Sequence, residues 1–269
     1  MLRVRHVKCR SVLSLSRIYG VSYSVNPYIG CQHGCVYCYA RFMLRYWPHP
    51  ENWGEFVDVK VNAPEVLKQQ LHMRSPAPVL LSSVTDPYQP LEEKYCLTRR
   101  CLQSLLEADF PVSILTKSAL VCRDIDLFRR FTSCEVGLTI TTLDEKVRLV
   151  FEPNASSSWS RIDALEKLGD AGLSTYAFIG PVIPILGEEM LEDLADELRR
   201  VKVTRVLVDR LNIKAGNWFA IEEAIMCNYP SHLTRIRKAL SRESDYYERL
   251  RQKASSLFAN KGLQAFFCY

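Results

Sequence analysis

Three cysteines, Cys31, Cys35 and Cys38, fall within eight positions of the stretch NPYIGCQHGCVYCYAR, residues 26–41. That count narrows what the chain can hold. A disulfide takes two thiols and a closed zinc site usually takes four ligands, so three need another explanation. Gly30 and Gly34 let the backbone curl, and thiolates so close in sequence can converge on one soft metal centre. His33 lies between two of the cysteines and reads as a loop residue, and no second paired ligand set is evident. A 4Fe-4S cluster explains the count, because three thiolates leave its fourth iron open to an external ligand.

The rest of the chain sets the frame for that loop. With 269 residues, 48% hydrophobic and 24% charged, it has enough apolar content for one large α/β domain or two small ones. No stretch reaches the roughly 18 apolar residues of a membrane span, and MLRVRHVKCRSVLSLSRIYG lacks the apolar core and cleavage site of a secretory signal. A cytoplasmic protein with no membrane partner is expected. The ten cysteines are scattered through apolar segments, and they read as reduced thiols rather than a disulfide scaffold. A net charge of +5, from 35 basic and 30 acidic residues, permits a nucleic-acid partner without requiring one. The mixed charges between Arg235 and Lys253 read as a solvated helix face.

Apolar, β-rich runs occur at SYSVNPYIG, PVLLSSV, PVSILT, EVGLTIT, STYAFIGPVI and TRVLVD. Helical periods lie between them. LTRRCLQSLLEA puts Cys101, Leu102, Leu105 and Leu106 on one face, SSSWSRIDALEKLGDAG puts Trp159, Ile162, Leu165 and Leu168 together, and GEEMLEDLADELRRVK does so with Met190, Leu191, Leu194 and Leu198. Strand and helix alternating about six times predict a parallel sheet covered by helices, as an open sheet or as a barrel. From about Gly216 the chain reads as helix-rich.

In such folds chemistry gathers at the carboxyl ends of the strands. There the sequence places Thr85 and Asp86, Thr116 and Lys117, Thr139 and Thr141, and Asp209 and Asn212. Each alone also suits a cap or a turn.

The spacing of three then two residues between the cysteines, with Tyr37 before the last, resembles the signature of the radical S-adenosylmethionine (radical SAM) superfamily. SSVTDPYQPLE, ITTLDE, FEPNASS and GPVIP, in that order, resemble the branch related to spore photoproduct lyase, often labelled DNA repair photolyase. The resemblance runs from about Tyr23 to Asn212. It implies an α/β fold, a partial (βα)6 TIM-like barrel over residues 21–215, with an N-terminal extension at 1–20 and a helical C-terminal extension at 216–269.

The same resemblance implies a 4Fe-4S cluster on Cys31, Cys35 and Cys38 and S-adenosylmethionine as cofactor. SAM would be cleaved reductively to a 5′-deoxyadenosyl radical by a lyase-like enzyme supplied by a flavodoxin or ferredoxin type donor. Matching positions assign Tyr37 to the neighbourhood of the adenine, and Ser83, Thr85 and Asp86 to the methionyl amine. Lys117 falls to the SAM carboxylate, Thr139 to the ribose, and Pro181, Val182 and Ile183 to the edge of the adenine. Tyr39 and Asp86 are the catalytic candidates. For Tyr39 the alternative is an apolar ring packed under the cluster with a hydroxyl handle.

Departures accompany these matches. The lyase uses a cysteine after strand two to quench the product radical, where this chain has Ser83 and Val84. Repair by that route would need another thiol, such as Cys96 or Cys268. Relatives commonly have Arg and Glu where this loop has Ile29 and Gln32. A nucleic-acid substrate would call for aromatic wedges near the barrel mouth, with Trp47, Trp53, Tyr246 and Tyr247 available. The alternatives are a radical SAM enzyme acting on a small molecule, peptide or protein, and a noncatalytic zinc or iron–sulfur protein.

Overall fold

The computed structural model describes residues 2–213 and 216–269. The expected domain boundary after Ala215 lies outside the described residues. The strands are β1 (Arg3–Val7), β2 (Leu13–Leu15), β3 (Tyr23–Val25), β4 (Tyr28–Ile29), β5 (Phe56–Lys60), β6 (Val79–Leu81), β7 (Val112–Thr116), β8 (Cys134–Thr139), β9 (Ser174–Val182), β10 (Arg205–Arg210) and β11 (Ala265–Phe267). The helices are α1 (Ala63–Leu71), α2 (Glu92–Tyr95), α3 (Leu97–Glu107), α4 (Ile125–Phe128), α5 (Glu145–Phe151), α6 (Ser158–Asp170), α7 (Leu191–Arg200), α8 (Asn217–Asn228), α9 (Leu233–Ala239) and α10 (Tyr246–Asn260).

One sheet runs in the order β11-β10-β9-β8-β7-β6-β3-β2. Every pair in it is parallel except β2 with β3. All six strands read from the sequence are present. Because parallel neighbours need crossovers, the helices between them cover the sheet, and the carboxyl ends of β3, β6, β7, β8, β9 and β10 open on one rim. A second sheet, β1-β5-β4, stands beside it. Its β4 and β5 lie on the connection from β3 to β6, β1 comes from the N-terminal segment, and β4 ends immediately before the three-cysteine loop.

The core explains the helix positions. Cys101, Leu102 and Leu105 of α3 are fully buried, as are Ile162, Leu165 and Leu168 of α6 and Leu194 and Leu198 of α7 to within 1%. Each such side chain contributes roughly 1.5–3 kcal/mol by leaving water. Asp144 caps α5 by accepting from the amides of Lys146 and Val147, and Ser157 caps α6 by accepting from Ser160. Acids begin α7 and arginines end it, in keeping with the helix dipole.

Trp159 departs from the expected apolar stripe and is 46% exposed. The inward place in the first turn of α6 belongs to Ser158, whose hydroxyl donates to the Thr142 carbonyl at 2.6 Å. The chain beyond Gly216 is also more than helices. Its last strand, β11, pairs in parallel with β10 and extends the sheet. No described helix is long and apolar enough to cross a membrane.

Candidate active site

Backbone geometry sets up the cysteine loop. Gly30 has φ +81°, and a Cβ there would lie 2.6 Å from the Phe56 carbonyl oxygen and 2.8 Å from its ring. Only glycine lets the chain leave β4 so close to β5. From there Cys31, Cys35 and Cys38 follow, the first two buried and the third half-buried. All ten cysteines are free thiols.

The three thiols lie close enough to act on one another. Burial pushes the Cys31 thiol well up, and Asp86, Cys35 and Cys38 add to it. Burial raises Cys35 to about 12 against the opposing charge of Lys117, and it raises Cys38 against Lys117 and Arg41. Among the described residues, no group of three or more His, Cys, Asp or Glu side chains converges to hold a single metal ion. A lone zinc draws its thiolates to about 2.3 Å, whereas a cluster spreads three thiolates over three irons.

The donor set fits such a cluster in one further respect. Arg41, three residues past Cys38, buries its Nε with no hydrogen-bond partner among the described residues. Burial lowers its pKa, and Cys38 and Cys35 oppose that. A buried orphan donor beside soft anionic ligands is a group that cluster sulfides can satisfy.

Asp86 ties the loop to two strands. Its Oδ1 accepts from the Tyr88 amide at 2.9 Å and the Thr116 hydroxyl at 2.6 Å, and its Oδ2 accepts from the Lys117 amide at 2.9 Å. His33 Nε2 faces the same Oδ2 at 3.3 Å. Burial would raise this carboxyl, but His33, Thr116 and the Lys117 amide hold it well below the usual range. His33 is tied in more closely than a plain loop residue: it is 1% exposed and its Nδ1 donates to the Asn154 carbonyl at 3.1 Å.

A second buried group lies on the other side. The Tyr37 hydroxyl donates to Glu152, Thr141 donates to the same carboxylate at 3.2 Å, and Glu152 pairs with Arg161 at 2.5 Å. Arg161 also donates to the carbonyls of Thr139 at 2.8 Å and Ser156 at 2.9 Å. Burial opposes the charge on Glu152, but Arg161 and Lys117 outweigh it and its pKa is lowered. Burial and Glu152 push the Tyr37 phenol well up. The Lys117 ammonium stands 5.7 Å from the Tyr37 ring centroid. It makes no hydrogen bond or ion pair among the described residues, a buried-side cation facing the loop. Burial lowers Lys117, but Cys35, Glu152 and Asp86 prevail and its pKa is raised.

The remaining expected residues surround this centre. Ser83 lies between Asn26 and Ser24, its hydroxyl 3.3 Å from each side chain, and Thr85 donates to the Gly30 carbonyl at 2.6 Å. Thr139 is buried at the end of β8, and Val182 and Ile183 are buried beside half-buried Pro181 where β9 ends. Tyr39, 46% exposed, donates its hydroxyl to the Ser83 carbonyl; desolvation of that hydroxyl and nearby Cys38 push the phenol up to about 12.

Of the aromatic wedge candidates, Trp53 is buried in the core, and Tyr246 and Tyr247 are bound to the frame rather than free. Tyr246 accepts from the Ile185 amide at 2.9 Å, while Tyr247 accepts from Leu211 and donates to Val182, both at 2.9 Å. Only Trp47 of the four is substantially exposed, at 41%. Sequence reasoning missed Arg41, Glu152, Asn154 and Arg161. A charged residue on the apolar face of α6, paired with an acid in FEPNASS, was the available signal.

Similar proteins bear on this arrangement. The model of the radical SAM superfamily matches residues 25–198. An uncharacterised protein of Methanocaldococcus jannaschii is 42% identical over 185 residues, covering 69% of this chain and 70% of that protein. A protein named radical SAM Nalpha-GlyT isomerase, from Pseudomonas phage M6, is 27% identical over 185 residues, covering 68% of this chain and 38% of its own. Among solved structures, a spore photoproduct lyase double mutant with bound AdoMet and dinucleoside spore photoproduct aligns at TM-score 0.72 and 16% identity, over 100% of this chain and 82% of that one. At that identity the likeness shows the fold, a TIM-like radical SAM barrel. The family implies S-adenosylmethionine and an iron–sulfur cluster as cofactors. The chain belongs to the radical SAM superfamily and is an enzyme of it.

Proposed function

We propose that this enzyme holds a 4Fe-4S cluster on Cys31, Cys35 and Cys38 and uses S-adenosylmethionine to abstract hydrogen from a pyrimidine base of a nucleic acid. When bound, the cluster supplies the electron that cleaves the sulfonium to methionine and a 5′-deoxyadenosyl radical. The observation that carries the reading is the shared loop of three thiols, two buried and one half-buried, with the Lys117 ammonium over the Tyr37 ring and making no hydrogen bond or ion pair among the described residues.

The residues divide the work. Lys117 receives the SAM carboxylate, as a flexible ammonium suits. Ser83 and Thr85, on the turn that Asp86 fixes, offer hydroxyls to the methionyl amine. With its lone pairs addressed by His33, Thr116 and two amides, Asp86 acts as a positioning residue, keeping β6, β7 and the loop in register. Thr139 meets the ribose, and Pro181 to Ile183 line the adenine beside Tyr37. Tyr39, half-open to the mouth, is the hydrogen relay. The nucleic-acid substrate is supported by the solved spore photoproduct lyase of similar fold, which holds a dinucleoside spore photoproduct. The final hydrogen reaches product by a route other than a thiol after β6, because Ser83 and Val84 occupy that turn.

Anaerobic reconstitution, reduction with dithionite and addition of SAM test this directly. Wild type is expected to form 5′-deoxyadenosine and Cys35→Ala none. A thymidine oligonucleotide with deuterated bases is then expected to pass deuterium into the 5′-deoxyadenosine. An intact cluster that leaves SAM whole would overturn the enzyme reading, and SAM cleavage without deuterium transfer would overturn the substrate.

A further inference from the structure

The basic residues are distributed unevenly. Residues 1–50 contain seven Lys and Arg and no Asp or Glu, while residues 51–269 hold 28 basic against 30 acidic residues. Five of the seven, Arg3, Arg5, Lys8, Arg10 and Arg17, precede the cysteine loop, and Arg41 and Arg45 lie in the segment just after it. That segment, YARFMLRYW at 39–47, runs directly out of the last cysteine as a 3-10 helix over Tyr39–Arg45.

Its aromatic side chains are presented rather than packed away. Tyr46 is 74% exposed and Trp47 41%. The rings of Tyr39 and Phe42 are nearly parallel, 16° apart with centroids at 6.5 Å. One end of the stripe is pinned at the barrel mouth, where Tyr39 donates to the Ser83 carbonyl. The other reaches the small sheet: Trp47 Nε1 donates to Asp58 Oδ2 at 2.6 Å, and Arg5 grips both oxygens of the same carboxylate at 2.7 and 2.8 Å. A shared acceptor thus sets Trp47 beside Arg5.

We propose that Tyr39, Phe42, Arg45, Tyr46 and Trp47 form a binding platform for an unpaired nucleic-acid strand leading to the barrel mouth. Successive bases stack on the aromatic rings while the exposed Arg45 meets a phosphate, a combination that every base satisfies through its π-face. An acid-free segment favours a polyanion over a protein of mixed charge, and flat exposed rings favour unstacked bases over the closed edge of a duplex. This inference rests on the nucleic-acid reading of the site and names the surface that would deliver the strand.

The test is fluorescence anisotropy with a labelled 12-nucleotide thymidine strand and a duplex of equal length, on the reconstituted protein, between 50 and 300 mM salt. Wild type is expected to prefer the single strand and to lose affinity as salt rises. Arg45→Ala/Tyr46→Ala is expected to weaken single-strand binding about tenfold or more and to flatten the salt dependence, with wild-type Tm and iron content. Equal binding by wild type and the double variant would overturn the platform while leaving the substrate reading intact. Preference for the duplex would overturn it as well. No binding of either nucleic acid by a protein that cleaves SAM would overturn both, and tight binding of a protein partner at this face in place of the strand would overturn the platform alone.

Discussion

The hydroxyl of Tyr37, the residue before the last cysteine, donates to the carboxylate of Glu152, a buried acid 115 positions later in the chain. Because Glu152 also pairs with buried Arg161, a single carboxylate fastens the cysteine loop to α6. Glu152→Gln leaves the Arg161 guanidinium uncompensated, at a cost of about 3–5 kcal/mol. Tyr37→Phe removes one hydrogen bond and is expected to cost about 1 kcal/mol. Thermal melts and iron content of the reconstituted variants check the order: Glu152→Gln loses both, and Tyr37→Phe keeps most of its iron.

If Lys117 receives the SAM carboxylate as proposed, its removal separates SAM binding from cluster binding. Lys117→Met keeps the length of the side chain and removes its charge, so the reconstituted variant is expected to retain iron. Loss of one charge-assisted hydrogen bond, about 1.5–3 kcal/mol, weakens SAM about 10–100-fold. Equilibrium binding of SAM to the oxidised protein measures this without turnover. Unchanged affinity would remove Lys117 from the site.

Much of this was legible in the sequence, for physical reasons that differ between elements. The strands after Tyr23 announce themselves because both faces are covered, giving short apolar runs such as VLL and VSILT. Helices α3, α6 and α7 show because one stripe alone is buried. Cys31, Cys35 and Cys38 are legible because they lie within one loop. Glu152 and Arg161 were not, since a buried ion pair across different crossovers leaves no local period, and each residue alone resembles a surface charge. Trp159 misled because periodicity records spacing and not which hydroxyl the first turn needs to bury. The strand β11 escaped notice because three residues pair only through tertiary context.

Gly30 is the strictest backbone position of the loop. Gly30→Ala combines a left-handed conformation with a Cβ 2.6 Å from the Phe56 carbonyl oxygen. Strain and overpacking together are expected to cost roughly 3 kcal/mol. The Tm should fall by several degrees and reconstituted iron should drop with it. A melt indistinguishable from wild type would mean that β4 and β5 separate without cost.

Tyr247 couples the C-terminal helix to the rim of the barrel. Its hydroxyl takes the Leu211 amide and gives to the Val182 carbonyl, bridging the ends of β10 and β9. Tyr247→Phe is expected to cost about 1–2 kcal/mol by leaving both groups without that partner. The local signature is faster hydrogen exchange at the Leu211 amide, with little change at the amides of β7. Uniform protection across both strands would refute the bridge.

The small sheet beside the loop carries a pH dependence of its own. Asp58 is fully buried and accepts from Arg5 and Trp47. Burial alone would raise its pKa, but the donors from Arg5, Trp47 and His49 hold it below the ordinary 3.8. The unfolded chain then binds this proton more readily than the folded one, so stability rises with pH across the interval between the two values. The contribution of Asp58 is complete above about pH 4, the unfolded range, and is lost as pH falls through the lower folded value. Asp58→Asn is expected to cost on the order of 2 kcal/mol at pH 7. It should also make the fall of stability below pH 4 shallower than in wild type, because the variant has no carboxylate there to protonate. Denaturant unfolding at pH 7, 5, 4 and 3 compares the two, and parallel acid limbs would show that the Asp58 charge contributes nothing.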